Sequence, residues 1–410
     1  MLKNDIMIKC ILMGCATMSF AGPGDGIRFD KLTLHPFVEG SVNYDSNVGL
    51  TQRSELEAAT IDQNEESETY MQLRYGLEFE YQRDMRKLSG TAYGYNRYYQ
   101  DFDLDNSGLG QNLSFSGGTP ERLAFTITEG YFRVQDYSTQ PLDAGGPSGN
   151  LLAEDRTDRI KRDLLNVGLN LKRQLSAKLG LGGGYAYSMT DYDDARAFDA
   201  DTQTYSADLS WDTTAKTAAF VTGSLGLEDS DALDQHDGES TSALVGVRST
   251  ATEKISYNLG VGYIGYKVDG LEGVDIDGLN YALGLGWKIS AKTSLNASAN
   301  KSFSASSFAQ NNAREVQMAQ VGLSYRATDA LGLGLAFSVR QDDFVNPVIV
   351  PEGPVDESRT TQAINFTANY APPGRWYRLF GSAGYEDSTS EIIGEDYEQV
   401  RVSAGVNLVY

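Results

Sequence analysis

Apolar and polar residues alternate along most of the chain, in segments of about ten residues. In the segment 70–81 the apolar positions are Met71, Leu73, Tyr75, Leu77, Phe79 and Tyr81. The positions between them are charged, polar or glycine. Residues 179–189, 279–289 and 331–340 alternate in the same way. Because successive side chains of a β-strand point to opposite sides, this period of two predicts strands with one apolar face and one polar or small face.

Turn-forming and polar stretches divide the chain into about eighteen such strands. The predicted strands are 33–44, 70–81, 88–100, 109–117, 122–134, 160–172, 177–189, 203–211, 218–228, 241–249, 255–268, 277–289, 294–304, 315–325, 331–342, 360–370, 376–385 and 397–410. Short turns, such as 82–87 and 371–375, alternate with longer polar loops, such as 45–69 and 135–158. This alternation is typical of an antiparallel up-and-down sheet.

Strand length and spacing favour a membrane barrel over soluble all-β folds. Strands of a β-sandwich usually have five to six residues, and a propeller would repeat every 40–50 residues. About 9–11 residues cross a bilayer when a strand is tilted, and a sheet in lipid must close because its edges find no water. The sequence therefore predicts an all-β fold: a closed antiparallel up-and-down transmembrane β-barrel of about eighteen strands, with residues 22–410 as a single domain.

The first 21 residues predict an export signal. Lys3 and Lys9 supply positive charge beside a short apolar run, and Ser19-Phe20-Ala21 precedes Gly22 as a small-x-small cleavage site. Starting at Met7 would give a tidier signal. No later run approaches the ~20 apolar residues of a membrane helix. We therefore predict a signal peptide at 1–21 and a location in the outer membrane of a Gram-negative-type cell.

A second interpretation of this segment is a lipoprotein, because Leu12-Met13-Gly14-Cys15 resembles a lipoprotein processing box. Cys10 and Cys15 are the only cysteines of the chain. If the segment is removed, the mature protein has no disulfide, no thiol nucleophile and no cysteine metal site.

The amino-acid composition supports a membrane barrel and argues against one class of binding partner. The chain has 43 glycines, 24 tyrosines, two histidines and a formal net charge of −22. Such a negative charge argues against nucleic acid as a partner. Tyrosine and tryptophan at strand ends are typical of the aromatic girdles at the membrane interfaces. The expected surroundings are outer-membrane lipid, and the oligomeric state stays open.

Charge is divided between the two kinds of connection. The long loops carry most of the acid: Glu55, Glu57, Asp62, Glu65, Glu66, Glu68, Asp191, Asp193, Asp194, Asp199, Asp229, Asp231, Asp234, Asp237 and Glu239. The short turns carry bases: Arg83, Arg86, Lys87, Lys172, Arg173, Lys216, Lys254, Lys292 and Arg375. The two rims of the barrel should therefore differ chemically.

Alternation also selects charged residues that should line the lumen. These are Arg74, Glu78, Arg97, Arg248, Arg340, Arg378 and Arg401. Arg97 is ambiguous, because Tyr93, Tyr95 and Tyr99 share its face. Inward arginine beside inward glutamate would set a field across a constriction. The alternative is that these charges only hydrate the lumen or pair across strands.

Candidates for metal binding and catalysis are weak. Asp101-Phe-Asp103-Leu-Asp105-Asn-Ser-Gly108 begins like a calcium loop, but Asn106 and Asn112 stand where the EF-hand needs glycine and glutamate. Asp191-Tyr-Asp193-Asp194 is a second acidic cluster, and acidic loops as a group could share divalent ions with anionic lipid heads. His35 and His236 fall on opposite predicted rims, which excludes a dyad built on both. We expect no enzyme, no dedicated metal site and no cofactor.

The last strand predicts both closure and an assembly signal. Val402, Ala404, Val406, Leu408 and Tyr410 alternate with polar or small residues and end the chain on an aromatic ring. We expect this strand to pair with the first, 33–44. Val402, Val406, Leu408 and Tyr410 also resemble the terminal signal read by the barrel-assembly machinery.

The stretch LHPFVEGSVNYDSNVGL, residues 34–50, resembles the start of the putative β-barrel porin 2 family. It has an alternating first strand followed by Tyr44-Asp45-Ser46-Asn47-Val48 at the first loop. The resemblance implies an outer-membrane barrel with a porin-like role, and some family members are linked to exopolysaccharide production. It transfers no catalytic residues.

The functional expectation is a passive channel for small hydrophilic solutes, since barrels of 16–18 strands generally leave an aqueous passage. The alternatives are export of a polysaccharide, or a structural or adhesive surface barrel whose loops carry the function. The transported solute and the ion selectivity stay open.

Overall fold

The computed structural model describes most of the chain as β-structure with short connections. The described residues are 19–20, 26–46, 67–100, 106–135, 161–193, 199–230, 237–268, 275–305, 313–345, 348–350, 353–355, 358–390 and 396–410. No helix in these ranges is long and apolar enough to cross a membrane. The architecture below is built from the backbone pairings of these residues.

Eighteen long strands make up the main sheet. They are β1 (Leu32–Asp45), β2 (Glu68–Arg83), β3 (Arg86–Tyr99), β4 (Asn106–Gly117), β5 (Ala124–Gln135), β6 (Lys161–Gln174), β7 (Leu179–Tyr192), β8 (Ala200–Asp212), β9 (Thr217–Ser230), β10 (Asp237–Ser249), β11 (Ile255–Val268), β12 (Asp275–Lys288), β13 (Thr293–Ala305), β14 (Ala313–Arg326), β15 (Leu331–Phe344), β16 (Ser358–Tyr370), β17 (Tyr377–Ser390) and β18 (Tyr397–Val409). The prediction of eighteen strands is confirmed, and every end agrees to within about five residues.

Each strand pairs antiparallel with its neighbours in sequence, and the last strand pairs with the first. The β18–β1 register runs from Arg401 opposite Asp45 to Val409 opposite Phe37. Side chains on the inner face reinforce it, because Gln399 Nε2 lies 2.9 Å from both carboxylate oxygens of Asp45. The predicted closed up-and-down barrel is therefore confirmed, and no edge of the sheet is left at its two ends.

The connections define two rims. At the turn rim the strands are joined by two to six residues, from Asp84–Met85 between β2 and β3 to 371–376 between β16 and β17. Asp84 has a φ of 52°, a conformation that aspartate tolerates better than most residues, which suits this two-residue turn. At the loop rim the connections are generally longer, and most of their residues lie outside the described ranges.

Short strand pieces supplement the barrel. Ile27–Phe29 pairs with the start of β1 and with Ser19–Phe20, and Val348–Val350 pairs with Gly353–Val355 in the β15–β16 connection. Cleavage after Ala21 stays a prediction. Residues 101–105 of the calcium-like stretch lie outside the described residues, while Asn106–Gly108 begin β4 instead of continuing a loop.

Closure predicts that the chain terminus matters for assembly. Tyr410 is half-exposed at the turn rim, and its backbone N–H donates to the Pro36 carbonyl of β1. Replacing Tyr410 by Asp, or deleting it, should sharply reduce the folded barrel recovered from the outer membrane, because a charge would replace the terminal aromatic ring. Tyr410→Phe is the matched control and should assemble normally. Equal yields of Tyr410→Asp and wild type in a heat-modifiability gel would refute the assembly signal at Tyr410.

Candidate functional site

The wall of the barrel has an apolar outer face and a polar inner face. Register assigns every described strand residue to one face, because paired residues share a face. On β18 the outer positions are Val400, Val402, Ala404, Val406, Leu408 and, beyond the strand, Tyr410, as predicted. The half-exposed large apolar side chains of this face continue around the barrel: Val42, Met71, Leu73, Leu109, Ile127, Leu181, Leu209, Val221, Val245, Leu259, Leu283, Val321, Leu335, Phe366 and Leu379.

Aromatic side chains stand on the outer face near both rims. Trp211, Trp287, Tyr325 and Tyr370 occupy the turn-rim ends of their strands, and Trp376 lies in the adjoining turn. Tyr44 and Tyr98 occupy the loop-rim ends of β1 and β3. Two aromatic girdles around an exposed apolar band are the signature of a barrel that sits in a lipid bilayer. In water such a band would be an uncovered apolar surface.

All seven charged residues predicted for the lumen lie on the inner face. They do not form one cluster. Arg74, Glu78 and Arg97 belong to β2 and β3, Arg248 to β10, and the other three, Arg340, Arg378 and Arg401, to the wall from β15 to β18. Their role in solute passage stays a prediction, but their common direction is fixed by register.

The β1–β3 wall resolves the ambiguity about Arg97. Tyr93 and Tyr95 lie on the inner face together with Arg97, so arginine and tyrosine share the lumen side. The Arg74 guanidinium carbon lies 3.9 Å from the centre of the Tyr93 ring, and that of Arg97 lies 5.3 Å from Tyr95. Arg97 Nε also donates to Gln72 Oε1 at 2.9 Å. Stacking on aromatic rings holds these guanidinium groups against the wall.

A second part of the wall, on β14 and β15, carries a tighter group of charges. Asp342 on β15 accepts two hydrogen bonds from Arg340, at 2.7 Å from Nε and 2.6 Å from Nη2. The same carboxylate lies 3.5 Å from Nη1 of Arg314 on β14. Asp342 and Arg314 are almost fully buried. One carboxylate therefore contacts two guanidinium groups: that of Arg340 in strong bidentate geometry and that of Arg314 through one nitrogen.

Glu386 organises a second group, between β17 and β18. Tyr397 donates its hydroxyl to Glu386 Oε1 at 2.5 Å, and Arg401 Nη2 lies 3.1 Å from Oε2. Glu386 and Tyr397 are buried, whereas Arg401 is partly exposed. The predicted residue Arg401 is therefore the accessible member of a fixed network.

Sequence analysis missed several buried charges of the inner face. They are Glu68, Arg162, Arg314, Asp342, Arg359 and Glu386. Glu68, Arg314, Arg359 and Glu386 were missed because the predicted strands stop one or more residues short of them at the loop rim. Arg162 and Asp342 lie within predicted strands on the inward period, and extending the alternation to every strand end would have found all six.

The inner face is exposed near the turn rim and buried near the loop rim. The exposed charges of the turn half are Glu78, Glu80, Lys87, Lys172, Asp212, Arg248, Lys288, Arg326 and Arg378. The loop half holds the buried set Glu68, Arg97, Arg162, Arg314, Asp342, Arg359 and Glu386, which we call the loop-half charge set. The inner face thus presents exposed charges at the turn end and buried charges at the loop end.

The histidine and acidic candidates from the sequence lie on different strands among the described residues. Within the described ranges, no group of three or more His, Cys, Asp or Glu side chains is arranged to hold a metal ion. His35 lies on the inner face opposite Glu78, and His236 lies outside the described residues. Asp191 belongs to β7 and Asp193 pairs with Lys161 at 3.2 Å, while Asp194 lies outside the described residues.

Comparison with known families gives a match in the second half of the barrel. The family model described as "Putative beta-barrel porin 2" matches residues 219–410. This range runs from β9 to the chain end, so the predicted resemblance is confirmed by strands other than the 34–50 stretch that suggested it. The match and the fold point to a channel of the outer membrane. No curated protein matches the sequence.

Solved outer-membrane proteins are similar to this chain over most of its length. Pseudomonas aeruginosa OpdQ is 11% identical, with 92% of this chain and 98% of that chain covered and a TM-score of 0.48. P. aeruginosa OccK3 (OpdO) is 13% identical, with coverages of 92% and 96% and a TM-score of 0.45. The outer membrane channel DcaP of Acinetobacter baumannii is 13% identical, with coverages of 92% and 97% and a TM-score of 0.43. These values support no conclusion about solute.

The shared carboxylate of Asp342 gives a stability prediction. Asp342→Ala should destabilise the barrel by about 3–5 kcal/mol, because two guanidinium groups lose the buried carboxylate that both contact. Asp212→Ala is the control, since Asp212 is an exposed inner-face acid of the turn half, and its cost should stay below about 1 kcal/mol. Urea unfolding in detergent micelles, followed by tryptophan fluorescence, measures both. Equal midpoints for the two variants would contradict the role given to Asp342.

Proposed function

We propose that this protein is a passive channel for small hydrophilic solutes. The observation that carries the proposal is the closed eighteen-strand wall with a polar inner face. A closed wall of this size encloses more space than its own side chains fill, unlike an eight-stranded barrel. The exposed polar inner face of the turn half is consistent with a water-filled lumen.

The loop half supports the selectivity of such a channel. A solute that moves along the axis passes the wall that holds the buried loop-half charge set and its partly exposed neighbours Arg340 and Arg401, which are held by fixed partners. Fixed charges of both signs favour solutes with their own polar groups over apolar ones, and cost little reorganisation as the solute passes. Arg74, Glu78, Arg248, Arg340, Arg378 and Arg401 are the residues we assign to this path, with Arg97 in the buried set.

The test of the proposal is electrical. Purified refolded protein in a planar bilayer should give stepwise conductance in simple salt, without any added ligand. Absence of conductance by protein shown to be folded would overturn the proposal and leave a structural or adhesive barrel. Conductance that a polysaccharide blocks but small sugars do not would favour the exopolysaccharide role instead.

Selectivity variants locate the path within the lumen. Glu78→Gln should shift the reversal potential in a salt gradient toward anion preference, because it removes an exposed carboxylate from the lumen. Arg248→Gln should shift it toward cation preference. Glu239→Gln is the control, since Glu239 pairs with Lys267 on the outer face and should leave the reversal potential unchanged. Identical potentials for all three variants would remove these residues from the path.

A further inference from the structure

The barrel wall is incompletely paired at one place, between β12 and β13. Their register covers only seven residue pairs, from Ala282 opposite Asn300 to Lys288 opposite Ser294. The next shortest registers in the barrel, β4–β5 and β18–β1, have nine. Residues 275–281 of β12 still pair with β11, and residues 301–305 of β13 still pair with β14. The two strands therefore part above Ala282, each remaining attached to its other neighbour.

The free half of β13 lies on the lumen side of the wall. By alternation, Phe303 belongs to the outer face of β13, together with Leu295. Its ring nevertheless packs against Ile264 and Tyr266, which belong to the inner face of β11. Phe303 is buried, with 9% of its surface exposed. An outer-face side chain of β13 can meet inner-face side chains of β11, on the far side of β12, only if the upper part of β13 lies inside β12.

Lys301, two residues from Phe303 toward the turn rim, shows the same overlap of β13 with β12. Its Nζ lies 3.6 Å from the point where a Cβ on Gly278 would stand, on the inner side of β12. The side chain is mostly buried and pairs with Glu315 Oε2 at 2.6 Å. The upper part of β13 has thus moved inward, so that a slit separates its outer face from the inner face of β12.

Side chains connect the two sides of the slit where the backbone does not. Tyr281 on β12 donates its hydroxyl to Gln317 on β14 at 3.0 Å. Gln317 in turn donates to Glu315 at 2.8 Å, and Glu315 holds Lys301. Side-chain contacts of this kind exchange partners more readily than a backbone ladder, since each is replaced by rotating a single side chain.

The slit opens at the level of the apolar outer band. Leu279 lies on the outer face of the free part of β12 and is 62% exposed, and its cross-strand neighbour Tyr263 is 49% exposed. Inside, Phe303, Ile264 and Tyr266 form an apolar cluster, completed by Val268 and Ile276. A path through the slit would therefore run from lipid past Lys301 and this cluster into the lumen.

We propose that the β12–β13 slit is a lateral passage for a single-chain anionic amphiphile between the lumen and the membrane. Its apolar chain would follow the cluster around Phe303, and its anionic head would replace Glu315 at the Lys301 ammonium. Unpaired strand edges are avoided in barrels because lipid cannot hydrogen-bond them, and the gap between β12 and β13 is an exception among the described strands. This role goes beyond the hydrophilic channel and does not depend on it.

A reversible cross-link between β12 and β13 tests the proposed lateral passage. The register continued upward would place Asn280 opposite Ser302, and both lie on the inner side of their strands. In Asn280→Cys/Ser302→Cys, a disulfide or a bismaleimide bridge should hold the slit closed. Uptake of dansyl-undecanoate by intact cells that produce the protein should then fall at least about tenfold and recover, for the disulfide, on reduction. Ion conductance of the purified barrel should stay within about twofold, which separates this proposal from the channel itself.

The control lock is Gly284→Cys/Ser298→Cys, a pair that already lies in register. Its bridge should change neither uptake nor conductance. Unchanged dansyl-undecanoate uptake by fully bridged Asn280→Cys/Ser302→Cys protein would overturn the proposal. Lys301→Gln supplies a second measurement: it should reduce uptake of the carboxylate about tenfold and leave uptake of the matching uncharged alcohol nearly unchanged. An equal effect on both probes would remove Lys301 from the passage.

Discussion

The need to bond every backbone N–H and C=O group within lipid governs this structure. A strand cannot satisfy its own backbone groups, so the sheet must continue until its last strand meets its first. That requirement accounts for the pairing of β18 with β1, while the geometry of each strand supplies the alternation of faces. Because the outer face must be apolar along each strand, the inner face is the only place where the chain can keep charged side chains in numbers.

The charges of the inner face are held differently at the two rims. Near the loop rim, guanidinium groups are held by aromatic rings, as Arg74 is by Tyr93, or by carboxylates, as Arg314 and Arg340 are by Asp342. Near the turn rim, inner-face charges such as Lys172 and Arg326 remain exposed. A buried charge needs a partner, whereas an exposed one is solvated by water. Buried charges with fixed partners therefore concentrate near the loop rim.

Alternation in the sequence was enough to predict the barrel, because a period of two is imposed on each strand separately. Residues 255–268 were predicted with the observed bounds. The predicted strand ends were less accurate, because polar residues at the loop rim resemble loop sequence. Arg314, Arg359 and Glu386 were therefore left outside the predicted strands. Phe303 and Lys301 show the deeper limit. Alternation correctly places both residues on the outer face of β13. The inward displacement of β13, however, depends on packing against β11, and a local sequence pattern does not reveal a contact between distant parts of the chain.

The exposed turn-half charges are mostly cationic: Lys87, Lys172, Arg248, Lys288, Arg326 and Arg378 stand against Glu78, Glu80 and Asp212. The loop half holds buried acid–base contacts, such as those of Asp342 with Arg314 and Arg340 and of Glu386 with Arg401. An aqueous pore that is cationic at the turn rim and, through the long loops, acidic at the loop rim enriches anions at one mouth and cations at the other. A voltage of one sign drives the ions enriched at the mouths into the pore, and a voltage of the other sign drives them out. The barrel therefore has the charge profile of an ionic rectifier, whose preferred direction reports the orientation of the protein in the membrane.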